Sequence, residues 1–363
     1  PASASVGDTI IFADYDRTWG TNGIVIDSNG LNYQGDDDSF DVEYGTDGMA
    51  LSITYMDATQ GWVPTFDEAV ADVPVSGNSE GIIGYGETSA GKVATTNLVS
   101  NVGVVSSDVS GVGTARNRLG ACEYGGDKGI FGYGNDTSPF TSLTNLVSNA
   151  GVVASDTTGV GTARDLIVAC SYGSDKGIFG FGRVSGGPKT AITNLVSNTG
   201  VVATDTAGVG TARYKPGACE YGTDTAIFAF GVNGGGATAV SNLVSNVGVV
   251  ASDVSGVGTA REDIEACSYG GDKGIFGYGW DGSPANMTNL VSNVGVVGTD
   301  VTGVGTSRYG LAATQYDYDK GIFFGGENAL INEKNLVSST GVVAADVNTA
   351  ATDKGHASAC SFN

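Results

Sequence analysis

Short apolar runs interrupted by glycine recur along the whole chain, and no stretch of ten residues carries helical periodicity. In residues 1–63 the runs alternate. DTIIFAD, GIVID, SFDVEYG and MALSITY put apolar side chains on one face, and Asn-Gly and Asp-Gly pairs between them supply reversals. This pattern predicts half-buried antiparallel strands, with Trp19 and Trp62 as core anchors. From residue 81 onward alternation is imperfect, as for strands covered on both faces. Residues 64–80, PTFDEAVADVPVSGNSE, read as a linker from their Pro, Asp and Glu content.

Residues 81–363 repeat themselves. NLVS begins at Asn97, Asn145, Asn194, Asn242, Asn289 and Asn335, 46 to 49 residues apart. Ile-(Ile/Phe)-x-x-Gly begins at Ile82, Ile130, Ile178, Ile227, Ile275 and Ile322, and GVGT(A/S)R ends at Arg116, Arg164, Arg213, Arg261 and Arg308. Ala-Cys-x-Tyr/Phe surrounds Cys122, Cys170, Cys219, Cys267 and Cys360, with Thr314 in the odd copy. In each unit two apolar runs flank a turn such as GGDK, and TNLVS and GVVAS flank Ser-Asn-x-Gly. Four antiparallel strands per unit are predicted, the signature of a propeller blade. The first unit opens at EGIIGYG without its Ala-Cys strand, and the last stops at ACSF, which is that strand. The expected fold is therefore all-β: a six-bladed propeller in which residues 357–362 complete the blade that begins at Gly81. Such closure removes two exposed strand edges.

The repeat resembles kelch-type propellers in unit length and in the Gly-Gly pair after an apolar strand. Only Gly325-Gly326 keeps that pair, and the kelch tryptophan of the outer strand is absent. The order GDTIIFAD…TWGTNGIVID…MALSITY…ATQGWVP resembles a β-rich module of bacteriophage fibre-like and tail-associated proteins. The NLVSNxGVV…GVGTAR unit is similar to repeats in structural proteins of marine phages. That resemblance implies a virion protein assembled in the host cytoplasm. Residues 1–63 would attach it to other virion proteins, and Pro1-Ala2-Ser3 would be the remnant of a longer N-terminal part. A homo-oligomer is expected, as fibre-like modules often are.

Composition narrows the partners. There are 59 glycines, and 39 Asp and Glu against 17 Lys and Arg, for a net charge of -22. The basic residues are scattered singly, so nucleic acid and anionic lipid are disfavoured as partners. No apolar run is long enough to span a membrane, and no signal-peptide pattern opens the sequence. The five cysteines read as buried free thiols and the single histidine, His356, as an exposed loop residue. Repetition assigns the arginines a structural role, pairing with carbonyls between blades or with turn carboxylates such as Asp127, Asp175, Asp224, Asp272 and Asp319. Asp36-Asp37-Asp38 reads as a solvated loop rather than a calcium site; no metal or cofactor is expected.

The copies differ in two places only: after the second strand, and between the closing arginine and the next unit. In an up-and-down blade both connections lie on one face, so one face is diversified and the other constant. Binding usually lives on such loops. The candidate ligand-binding residues are Phe140, Tyr214, Trp280 and Tyr309 as aromatic anchors, with Arg183, Lys189 and Lys215 as polar contacts. The expected function is a non-enzymatic phage fibre, tail or capsid-decorating component that binds a host-surface glycan or receptor, or neighbouring virion proteins. The alternative is a secreted or cell-surface carbohydrate-binding adhesin of a marine bacterium. A glycan-cleaving enzyme would need paired carboxylates at one mouth of the axis; Asp165, Glu262, Asp263 and Glu265 are the loop acids resembling that.

Overall fold

Alternation in the first part of the chain produces the strands it predicts. A computed structural model describes residues 3–35, 42–69, 78–136 and 140–363, so the run Asp36-Asp37-Asp38 lies outside the described residues. Two units divide the chain, 1–75 and 76–363. In the first, Thr9–Ala13, Met49–Asp57 and Gly61–Ala69 form an antiparallel sheet, and Ile24–Ile26 pairs with Val42–Tyr44. Leu51, Ile53, Tyr55 and Trp62 are buried on one face, with Tyr33 and Ile26 over them. Trp62 is the anchor expected of it, whereas Trp19 is only half-buried and outside that cluster. Residues 64–69 belong to a strand and not to a linker: the apolar members of GWVPTF continue the hairpin that turns at Gly61. Gly61 has φ +65, and a Cβ there would lie 1.7 Å from the Asn32 carbonyl oxygen, so only glycine fits this turn.

The second unit is all-β as well; no helix occurs among the described residues, and no sheet closes on itself. Six small open sheets carry the repeats. Sheet I comprises Ser358–Phe362, Glu80–Gly84 and Thr96–Val99. Sheet II comprises Gly120–Tyr124, Lys128–Gly132 and Thr144–Val147; sheet III comprises Val168–Tyr172, Lys176–Gly180 and Thr193–Val196. Sheet IV has Gly217–Tyr221, Thr225–Ala229 and Ser241–Val244, and sheet V has Glu265–Tyr269, Lys273–Gly277 and Thr288–Val291. Sheet VI has Ala312–Tyr316, Lys320–Phe324, Glu333–Val337 and the short Val347–Asn348. In sheet I the end of the chain takes first place, with Cys360 opposite Ile82, as the truncated ends of the repeat predict. First strands of consecutive sheets lie side by side from I to VI, and that of VI lies beside that of I. All six line one narrow axial cavity of about 50 Å³.

The expected fourth strand is largely missing. GVVAS and its equivalents make isolated bridges, such as Val99 with Val105 and Thr96 with Val109, and only sheet VI keeps two consecutive pairs. The asparagine of NLVS holds this segment by its side chain in every copy, sheet VI included. Asn97 Nδ2 donates to the Ser106 carbonyl (3.1 Å) and to Asp108 (2.7 Å), and Asn145 does the same to Ala154 and Asp156.

Packing between sheets repeats too. Phe131 meets Tyr85 edge-on with ring centroids 5.2 Å apart, and Phe179–Tyr133, Phe228–Phe181, Phe276–Phe230 and Phe323–Tyr278 follow suit. Tyr85, Tyr133, Phe181, Phe230 and Tyr278 all have φ between +62 and +65, a strained conformation over-determined by those contacts. The sixth copy has Gly325 there, where a Cβ would lie 2.4 Å from the Lys354 carbonyl oxygen. The Gly-Gly pair thus replaces a Tyr-Gly or Phe-Gly pair. The VI–I seam consequently lacks an aromatic pair and is built from Ile83, Ala312, Ile322, Phe324 and Ala357.

Each closing arginine is fully buried and reaches the next sheet. Arg261 Nε donates to the Tyr278 carbonyl (2.9 Å), Nη2 to Asn289 Oδ1 (2.6 Å) and Nη1 to the Thr259 carbonyl (3.2 Å), with Asp300 at 3.3 Å. Its guanidinium also lies over the Phe230 ring, 4.8 Å from the centroid. The inter-sheet role is the expected one, but the carboxylate partners are Asp156, Asp205, Asp300 and Asp346. The turn acids Asp127, Asp175 and Asp272 pair instead with the lysine that follows each, because the tight turn puts them at the other end of the sheet. Lys354 occupies the sixth arginine position and donates to Asn97 Oδ1 (2.9 Å) and Thr95 Oγ1 (3.2 Å), joining the last copy to the first. Burial lowers its ammonium to about 8, partly offset by Asp108. All five cysteines are buried free thiols; Cys122 Sγ lies against Gly177 of sheet III, where a Cβ would come within 2.4 Å of it.

Candidate functional site

Two residues beyond each buried cation the chain turns a left-handed corner. Arg118, Leu166, Lys215, Asp263, Gly310 and His356 have φ between +46 and +62. Their backbones link around the axis: Arg118 N donates to the His356 carbonyl, Leu166 N to Arg118, Lys215 N to Leu166, Gly310 N to Asp263 and His356 N to Gly310. The main chain is thereby occupied in a constant way while the six side chains differ. Just outside, the residue after each cation bridges the first residue of the segment following the second strand. These pairs are Asn117 with Asn135, Asp165 with Arg183, Tyr214 with Val232, Glu262 with Trp280, Tyr309 with Glu327, and Gly355 with Glu87. The two variable segments of the sequence therefore meet residue by residue.

A cavity of about 400 Å³ opens at this end of the axis, lined by Glu87, Thr88, Arg118, Lys215, Asp263, Tyr309, Glu327, Leu330 and His356. That is room for a small ligand. Lys215 Nζ lies 3.0 Å from Glu262 and 2.5 Å from Asp263. Burial opposes its charge, but Asp263 and Glu262 prevail and hold the ammonium above its ordinary value. For Asp263 burial is the larger effect and raises the carboxyl despite Lys215. Burial raises Glu327 as well, with Glu87 adding to it. Glu87 accepts from Asn117 Nδ2 at 2.6 Å. Arg118 lines the cavity, and its Nε is buried with no hydrogen-bond partner.

His356 corrects the expectation of an exposed loop residue. Its side chain is 10 % exposed, 4.0 Å from Glu327 and 6.5 Å from the Tyr309 ring, because the corner draws it to the mouth. Burial, then the charges of Arg118 and Lys215, lower its imidazole to about 4 from an ordinary 6.5. The unfolded chain takes up that proton near pH 6.5 and the folded chain only near 4. Stability from this group is therefore complete above pH 6.5 and lost as pH falls toward 4, by about 3 kcal/mol. Urea unfolding at stepped pH should show that loss in the natural chain and its absence in His356→Asn, a residue that tolerates the left-handed corner.

All seven residues singled out from the sequence lie on this end, in two groups. Arg183 lies over Phe140 (5.3 Å) and Tyr214 (6.0 Å), and Lys189 Nζ lies 5.3 Å from the Tyr214 centroid. Arg183 also grips Asp165 at 2.8 and 3.0 Å, and Lys189 donates to the Asn233 carbonyl, so both cations already have partners. Trp280 and Tyr309 pack edge to face at 5.2 Å and continue through His356 to the cavity that Lys215 lines. Of the four loop acids, Asp165 and Glu262 are taken by Arg183 and Lys215, Asp263 lines the cavity, and Glu265 lies beneath it, raised by burial. Glu87, Arg118, Glu327 and Leu330 were not singled out from the sequence. For Glu87, Glu327 and Arg118 the signal was their offset from the repeated anchors, one residue past Gly86 or Gly326 or two past Arg116; Leu330 has no such offset. No protein-family model matches the chain, and no curated protein is detectably similar to it.

Proposed function

We propose that the six sheets are blades of a closed kelch-like wheel whose variable end binds a glycan on a host surface, in a non-enzymatic component of a phage particle. Closure is supported by the pairing of Ser358–Phe362 with Glu80–Gly84, the side-by-side first strands of VI and I, and the Lys354 link to Asn97. The observation that carries the binding reading is a cavity whose main-chain frame repeats while its side chains do not. Glu87 and Glu327 can accept from sugar hydroxyls and Arg118 can donate. Tyr309 and Trp280 offer ring faces and edges at the rim. The phage assignment rests on the motif resemblance, and residues 1–63 would attach the wheel to other virion proteins, in a homo-oligomer.

A glycan array probed with the full chain should give saturable binding that Arg118→Ala weakens by roughly 1.5–3 kcal/mol, the range for a hydrogen bond to a charged group. A reducing-sugar assay should detect no cleavage. Released sugar overturns the non-enzymatic reading in favour of Glu87 and Glu327 as a carboxylate pair. Mass spectrometry of purified particles should find the chain; its absence there, with secretion by a bacterium, favours the adhesin.

A further inference from the structure

The opposite end of the axis carries its own set of six. The residue after each cysteine, or after Thr314, is Glu123, Ser171, Glu220, Ser268, Gln315 or Ser361. In ring order serine alternates with a longer oxygen-bearing side chain, so Glu123, Glu220 and Gln315 come from every second first strand. Glu123, Glu220, Ser268 and Gln315 line both the narrow axial cavity and a wider one of about 170 Å³ that continues it. Ser361 Oγ donates to Glu123. Among the described residues no lysine or arginine pairs with either acid. Lys273 on the rim is held by Asp272. An independent sign of a ligand is Gln315, which is 8 % exposed and lines the cavity while its buried Nε2 has no partner. A half-turn of the amide would put Oε1 in the same place.

We infer that this end of the axis binds a divalent, oxygen-preferring cation, calcium, through Glu123, Glu220 and Gln315, with serine hydroxyls and water completing its shell. Two carboxylates balance the charge of one such ion, and the remaining donors are neutral oxygens, the ligand set calcium prefers. Softer metals are disfavoured because the nearby thiols point between sheets, as Cys122 does toward Gly177. Among the described residues no three His, Cys, Asp or Glu side chains cluster to hold a metal, so the site draws on two carboxylates with amide and hydroxyl oxygens. The ion would tie together strands from alternate sheets at the end away from the variable cavity, and the inference stands whether or not that cavity binds a glycan.

The test uses the full chain stripped with a chelator and then titrated with terbium, whose luminescence is sensitised by nearby tyrosines such as Tyr221. One terbium should bind tightly, calcium should displace it, and calcium should raise Tm more than magnesium or sodium. E123Q/E220Q should bind roughly a hundredfold more weakly, having lost both charges, while remaining folded because its ring is neutral. Gln315→Leu should weaken calcium binding without lowering the metal-free Tm. Equal terbium affinity in the natural chain and E123Q/E220Q, or no effect of calcium on Tm, means binding to the acidic surface alone and overturns the inference. A response to magnesium as large as that to calcium overturns the choice of ion.

Discussion

A chain ending at His356 should lose the cooperative unfolding of the whole repeat unit. The missing strand, Ser358–Phe362, pairs with Glu80–Gly84 on one side and lies beside Gly120–Tyr124 and Ala312–Tyr316. Phe362 is 1 % exposed and Cys360 4 %, and Asn363 N donates to the Asp127 carbonyl at 3.0 Å. Emptying a buried phenylalanine site alone costs about 3–5 kcal/mol. Adding the ladder and the smaller buried side chains of Ala359 and Cys360 approaches the whole 5–15 kcal/mol that a typical domain has. The strand left behind, with Ile82 and Ile83, becomes an apolar edge prone to pairing with other chains. Circular dichroism melts should show a broad, early transition and size-exclusion chromatography should show aggregates. A synthetic peptide of residues 354–363 added in trans should restore part of the transition. A truncated chain that melts sharply within a few degrees of the full one would falsify closure by the terminal strand.

Arg261→Met should cost about 3–5 kcal/mol in urea unfolding, although methionine nearly matches the arginine stem in bulk. The loss comes from what remains: Asn289 Oδ1 and the Tyr278 carbonyl buried without donors, and Asp300 without its cation. Lys354→Met removes the equivalent link between the last copy and the first. It should cost less, about 1–3 kcal/mol, because an ammonium already lowered by burial gives up its charge more readily. Lys128→Met is the control. Its partner Asp127 is similarly half-exposed on a turn, so the change should stay below about 1 kcal/mol. If Arg261→Met and Lys128→Met shift the urea midpoint equally, the arginines do not join the sheets.

Much of the frame is written in the order of residues because it is local and repeated. Ile-Phe runs beside Gly-Asp-Lys turns specify hairpins, and apolar side chains on both faces announce strands sandwiched between neighbours. Six copies with complementary ends point to the partner of Ile82 and Ile83, since an unpaired apolar edge is costly. The segments that vary between copies mark the diversified end.

Three-dimensional packing decided the rest, because it depends on pairs far apart in sequence. GVVAS reads locally as a strand, yet it meets the NLVS strand only at isolated bridges and through the Asn97 side chain, contacts that local propensity for strand does not reveal. His356 resembles any loop histidine until a left-handed corner and five equivalent corners place it beside Glu327. Lys354 carries no arginine motif, yet geometry makes it the sixth inter-sheet cation. Glu123 and Glu220 stand 97 residues apart and look like ordinary strand acids. Only strands brought side by side around one axis remove their water and leave them facing a shared space, where desolvation and mutual repulsion set their chemistry.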